Sequence, residues 1–152
     1  MTGERVLVLN GPNLDLLGRR EPGVYGSASL ADVRAALEAL ARELGCSVEL
    51  RQTNSEGQLV DWVHEAWDAA DGIVVNPGAL AHYSYALRDA IAAVPRPTVE
   101  VHISNVHARE RFRHHSTVSP VAVGVIVGMG TYGYELALRG LVERLRAGAP
   151  ER

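Results

Sequence analysis

Short apolar runs alternate along this chain with longer stretches in which apolar residues recur every three or four positions. Val6–Leu9, Ile73–Val75 and Val99–Val101 are strand-like and almost unbroken by polar residues, the pattern of strands covered on both faces. Val48–Gln52 and Val121–Val127 add two more strand candidates. Between them, Ser29 stands at an N-cap position before Leu30, Val33, Leu37, Leu40 and Leu44, and Gly45 supplies the stop, so the spacing predicts an amphipathic helix. A second helix is predicted with Leu59, Val60, Val63 and Trp67 on its apolar side, and a third over about Tyr83–Ala93, ending before Pro95 and Pro97. A fourth is expected from about Tyr132 to Arg146, after the turn Gly128-Met129-Gly130. The charged segment His107–His115 reads as a short helix or a loop.

Strands alternating with helices imply a parallel sheet with right-handed crossovers and helices on both faces, a three-layer α/β/α arrangement. Five strands suit a flavodoxin-like, doubly wound order better than the six-stranded dinucleotide-binding one. No repeat, low-complexity tract or linker divides the sequence, so residues 1–152 are expected to form one domain.

In such a sheet, ligands bind beyond the carboxyl ends of the strands. Three of the runs end in polar residues: the first in Asn10-Gly11-Pro12-Asn13 with Arg19, Arg20 and Tyr25 beyond, another in Asn76 and His82, and another in His102-Ile103-Ser104-Asn105. The connection from Asn10 to Gly26 is long for a strand-to-helix loop, which is the habit of a binding loop. An arginine beside Tyr25 would favour the phenolate and make Tyr25 a general base, although the same tyrosine could simply anchor the loop. His102 at a strand end could deliver a proton to a leaving oxygen, with Glu100 two residues earlier on the same face to orient it. Ser104 and the amides of Ile103 and Ser104 could hold a carboxylate. Asn13 and Asn76 offer neutral amides, and His82, Asp89 and Arg113 could grip hydroxyls or anions.

Composition narrows the chemistry. All 15 basic residues are arginine, so a lysine Schiff base and a Walker-type phosphate loop are both excluded. A net charge of -3 with no basic patch makes nucleic acid an unsuitable partner. No apolar run approaches the length of a membrane span, and the N-terminus lacks the pattern of a signal peptide, so a cytoplasmic protein is expected. None of the six histidines has zincin or finger spacing, so no metal site is expected. The glycines at 124, 128 and 130 lack the spacing of a dinucleotide fingerprint. Cys46, the only cysteine, reads as a packing residue. These residues define a base, an acid and an anion grip without fixing a carbon skeleton. A lyase or isomerase of a hydroxy acid, or a flavodoxin-like binding module, remains open at this level.

The stretches LNGPNLDLLGRREPGVYG from Leu9, QTNSEGQL from Gln52, GIVVNPGALAHYSYALRDAI from Gly72, VEVHISNVHARERFRHHS from Val99 and VAVGVIVGMGTYGYELAL from Val121 closely resemble the type II 3-dehydroquinate dehydratases. They run in family order along nearly the whole chain. The resemblance implies a shikimate-pathway lyase that converts 3-dehydroquinate to 3-dehydroshikimate through an enolate, without metal, cofactor or imine. It implies that Tyr25 takes the proton beside the ketone, Arg20 keeps Tyr25 ionised, Asn13 helps stabilise the enolate through water, and His102, supported by Glu100, protonates the departing hydroxyl. Asn76, His82, Ile103, Ser104 and Arg113 would bind substrate, with Asp89 reaching the site of a neighbouring subunit in a dodecamer built from trimers. Thr117, where the family commonly has an aromatic, and Thr131-Tyr132, in place of a frequent Ala-Gln pair, are departures outside the catalytic set.

Overall fold

The computed structural model describes residues 3–148; Met1, Thr2 and the last four residues, and with them part of the expectation about the N-terminus, lie outside the described residues. Five parallel strands, β1 (Arg5–Asn10), β2 (Ser47–Gln52), β3 (Gly72–Asn76), β4 (Thr98–His102) and β5 (Gly124–Val127), form one sheet in the order β2-β1-β3-β4-β5. This is the flavodoxin-like order expected from the strand count. Five α-helical segments accompany them: a single turn α1 (Pro22–Tyr25), then α2 (Leu30–Leu44), α3 (Glu56–Ala69), α4 (Tyr85–Ala93) and α5 (Tyr132–Ala147).

Each central strand supplies alternate side chains to two separate cores, because successive side chains of a strand point to opposite faces. Val6 and Val8 of β1 pack with Leu37 of α2 and Leu138 and Leu141 of α5, while Leu7 and Leu9 pack with Leu59 and Val63 of α3 and Leu87 and Ile91 of α4. The helices therefore lie in two layers, and β1, β3 and β4 are buried on both sides. Each buried Leu or Ile contributes about 1.5–3 kcal/mol by leaving water.

α2 begins in a full capping box: Ser29 Oγ accepts from the Asp32 N–H, and the Asp32 carboxylate accepts from the Ser29 N–H. It ends at Gly45, in the left-handed region at φ 75°. The apolar side of α3 differs from its spacing-based reading. Leu59, Val63 and Ala66 are buried, whereas Trp67 is 50% exposed, because the neighbouring Ala66 occupies the inward position and turns the larger ring to the rim. α4 starts at Tyr85 rather than Tyr83, capped by Ser84, whose Oγ accepts from the Leu87 N–H. The fifth strand begins at Gly124 rather than Val121; a 3-10 turn over Ser119–Val121, with proline in its first turn, occupies the preceding residues. His107–His115 resolves into two short 3-10 helices, Val106–Ala108 and Arg111–His114. Cys46 packs against the α2/α5 core, where burial pushes its thiol up from the usual range.

Candidate active site

The carboxyl ends of β1, β3 and β4 open onto a small cleft, lined among others by Asn13, Arg20, Tyr25, Asn76, His82, His102 and Arg113. The loops after β1 and β3 cross there almost in contact. The Gly11 N–H donates to the Asn76 carbonyl at 2.9 Å, and a Cβ on Gly11 would stand 2.5 Å from the Pro77 carbonyl oxygen. Gly78 on the facing loop takes φ +59°, so both loops need glycine to meet. Asn13 follows in the left-handed region at φ 70°. Its N–H donates to Asn54 Oδ1 at 2.9 Å, and Gln52 Nε2 holds the same oxygen at 3.0 Å. The Gln52-Thr53-Asn54 segment after β2 thus fixes an unusual backbone at the mouth of the cleft.

Tyr25 ends α1 and is half-buried. Its hydroxyl accepts a hydrogen bond from Arg109 Nη1 at 2.8 Å, and the same nitrogen donates to Ser104 Oγ at 3.1 Å. Arg20 lies over the ring instead, its guanidinium carbon 4.9 Å from the ring centroid, with Nε 3.4 Å from Glu21. Two cations therefore flank Tyr25: Arg20 over the ring, and Arg109 both at the hydroxyl and over the ring, its guanidinium carbon 5.2 Å from the centroid. A donor aimed at the oxygen stabilises negative charge there more directly than one over the ring.

His102 is the last residue of β4 and is 7% exposed. Its Nε2 donates to Glu100 Oε2 at 2.5 Å. Glu100 is fully buried, yet four polar contacts satisfy its carboxylate: the His102 ring, Ser116 Oγ on both oxygens at 2.8 and 3.1 Å, and Ser119 Oγ at 2.5 Å. Burial pushes the Glu100 carboxyl up, but hydrogen bonds from His102, Ser119 and Ser116 outweigh it and hold it below the usual value. With Nε2 committed, Nδ1 is the nitrogen of His102 left for proton transfer. His82 stacks beside it with ring centroids 6.3 Å apart. Its Nδ1–H donates to the His115 carbonyl at 2.8 Å, and burial lowers its pKa, which favours the neutral ring with Nε2 as an acceptor.

A general base candidate, an acid candidate paired with a buried carboxylate, and cations for an anionic substrate thus share one cleft. Residues 4–142 match the family model described as dehydroquinase class II.

The chain belongs to the class II dehydroquinase family.

A protein of Jannaschia sp. (strain CCS1) named 3-dehydroquinate dehydratase is 56% identical over 144 residues, covering 95% of this chain and 97% of that protein. Another of the same name from Kineococcus radiotolerans is 59% identical over 145 residues, covering 95% and 99%. The crystal structure of a type II dehydroquinase from Propionibacterium acnes superposes with a TM-score of 0.90 at 50% identity, covering 93% of this chain and 98% of that one.

Within this dehydroquinase-family cleft, Asn13, Arg20, Tyr25, Asn76, His82, His102, Ile103, Ser104 and Arg113 come together as lining residues. Glu100 stands behind His102. Asp89 does not join them: it lies on α4, pairs with Arg88 at 3.0 Å, and its side chain is 73% exposed. Arg113 holds Glu110 at 2.8 Å while lining the cleft. Three residues of the network escape a reading of sequence alone. Arg109, Ser116 and Ser119 lie in the charged segment and the turn before β5, where nothing in the local pattern separates Arg109 from Arg111 or Arg113. Only the loop geometry selects it. Among the described residues no group of three or more His, Cys, Asp or Glu side chains is arranged to hold a metal ion, and no helix is long and apolar enough to cross a membrane.

Proposed function

We propose that this chain is a 3-dehydroquinate dehydratase, eliminating water from 3-dehydroquinate to give 3-dehydroshikimate through an enolate. The observation that carries this reading is the Tyr25 hydroxyl, held by Arg109 at 2.8 Å in the same cleft as the His102–Glu100 pair. A proton beside a ketone is weakly acidic, so its removal needs a strong, positioned base and stabilisation of the developing oxyanion. Tyr25 as phenolate is that base, with Arg109 at its oxygen and Arg20 over its ring favouring the charge. Asn13 stabilises the enolate oxygen through a water molecule. As the enolate collapses, the carbon–oxygen bond to the β-hydroxyl breaks, and His102 Nδ1 gives the leaving oxygen its proton. Glu100 supports the imidazolium that donates it.

The substrate carboxylate is met by the Ile103–Ser104 segment, and the ring hydroxyls by Asn76, His82 and Arg113. These groups bind and orient; none forms a covalent bond. Asp89, remote from its own cleft, contributes to that of a neighbouring subunit, in a dodecamer built from trimers. The whole chain acts as one catalytic unit in the cytoplasm, in the shikimate pathway.

The test is the rise in ultraviolet absorbance of the conjugated enone when purified protein meets 3-dehydroquinate, with and without EDTA and borohydride. A rise that survives both reagents supports the proposal. No rise from folded, assembled protein contradicts it and redirects the search to another hydroxy acid.

A further inference from the structure

Beneath the cleft lies a buried polar chain that none of the proposed chemical steps uses. Tyr134, in the first turn of α5, is fully buried. Its hydroxyl donates to Asn10 Oδ1 at 2.6 Å and accepts from Asn76 Nδ2 at 2.9 Å. Asn10 and Asn76 are register partners at the ends of β1 and β3. Asn10 Nδ2 in turn donates to the Arg51 carbonyl at 3.1 Å, and Asn76 Oδ1 accepts from the Gly78 N–H at 3.1 Å.

Both ends of this chain are backbone groups whose polarity cannot change: a carbonyl at Arg51 and an N–H at Gly78. The carbonyl obliges Asn10 to present its amino group there and its oxygen to Tyr134. A hydroxyl has one proton, and Tyr134 spends it on Asn10, so it can only accept from Asn76. Burial pushes the Tyr134 hydroxyl far above its ordinary pKa, which keeps that proton in place. A flipped Asn76 would set its oxygen against the Tyr134 oxygen and its amino group against the Gly78 N–H. The direction of every bond is therefore determined, and Asn76, 3% exposed at the floor of the cleft, is left with one N–H to offer the substrate.

We propose that Tyr134 is a positioning residue that fixes Asn76 as a hydrogen-bond donor to the substrate and locks the β1 and β3 loops in register below it. This rests on the reading of Asn76 as a substrate contact. Tyr134 touches no substrate; it acts through Asn76. A donor that serves bound substrate and transition state alike affects KM rather than kcat.

The experiment is steady-state kinetics of Tyr134→Phe on 3-dehydroquinate, beside wild type and Asn76→Ala, with thermal unfolding of each. Wild-type turnover is read first, so loss of the dehydratase reading is seen separately from loss of this one. The expected result for Tyr134→Phe is a KM raised about tenfold with kcat within about twofold of wild type. Added to Asn76→Ala, the same change should raise KM no further. Asn10→Ala, which removes the acceptor of the Tyr134 proton without lining the cleft, should raise KM in the same way and serves if Tyr134→Phe does not fold. A variant of lowered thermal stability but wild-type KM would overturn the proposal and leave Tyr134 a core residue only. So would a KM effect that adds in full to that of Asn76→Ala.

Discussion

Arg109 joins Tyr25 and Ser104 through a single nitrogen, which makes it the residue that holds the Tyr25 hydroxyl in place and on which the proposed role of Tyr25 as base depends most. Arg109→Ala should lower kcat/KM on 3-dehydroquinate by about 100-fold, the loss typical of one donor aimed at developing charge. Unchanged kinetics would mean that Arg20, over the ring, suffices. The contrast between the two arginines shows what a sequence can reveal at this scale. Tyr25, His102 and Glu100 stand out because a histidine at the end of an apolar strand, a carboxylate inside the same strand, or a tyrosine among glycines in a long loop departs from the local pattern. Arg109 sits among other arginines in a charged segment and departs from nothing. Its role comes from a contact spanning 84 positions, which no local pattern encodes.

Among the elements, α2 was legible to the residue because its start, its face and its stop are all written locally: Ser29, the leucine spacing and Gly45. Ser29→Ala should cost about 1 kcal/mol of stability, the usual value of an N-cap. Chemical denaturation should show that loss while kcat/KM stays at the wild-type level, since α2 lies away from the cleft lining. An undiminished stability would show that the Asp32 half of the box holds the helix start alone. β5 was less legible. Its apolar run begins at Val121, but Val121 is buried in a turn beneath α4 and pairing starts only at Gly124. Hydrophobicity marks what is buried, and only hydrogen bonding across to β4 marks where a strand begins. Trp67 failed for the converse reason: a large apolar ring reads as core, whereas packing between helices gave that place to Ala66.

At the scale of the whole molecule, the sheet order and both cores follow from the alternation of elements, whereas the buried links between distant segments do not. The Glu100 cluster ties β4 to the Ser116–Ser119 turn, and its charge makes stability depend on pH. Glu100 ionises below its ordinary value of 4.5 in the folded chain. Its contribution is thus fully present above that pH and is lost as pH falls through the folded value. Urea unfolding of wild type and Glu100→Gln across this acid range should show the advantage of wild type shrinking as pH falls. A constant gap would mean that the carboxylate is not stabilised by folding. The central claim of the proposed mechanism, proton abstraction by Tyr25, can be measured directly: the kcat of Tyr25→Phe on 3-dehydroquinate, followed by enone absorbance with the fold checked by circular dichroism. Removal of one hydroxyl should lower kcat by about 100-fold or more, the range of general-base catalysis. A folded Tyr25→Phe with kcat close to wild type would show that another group takes the proton.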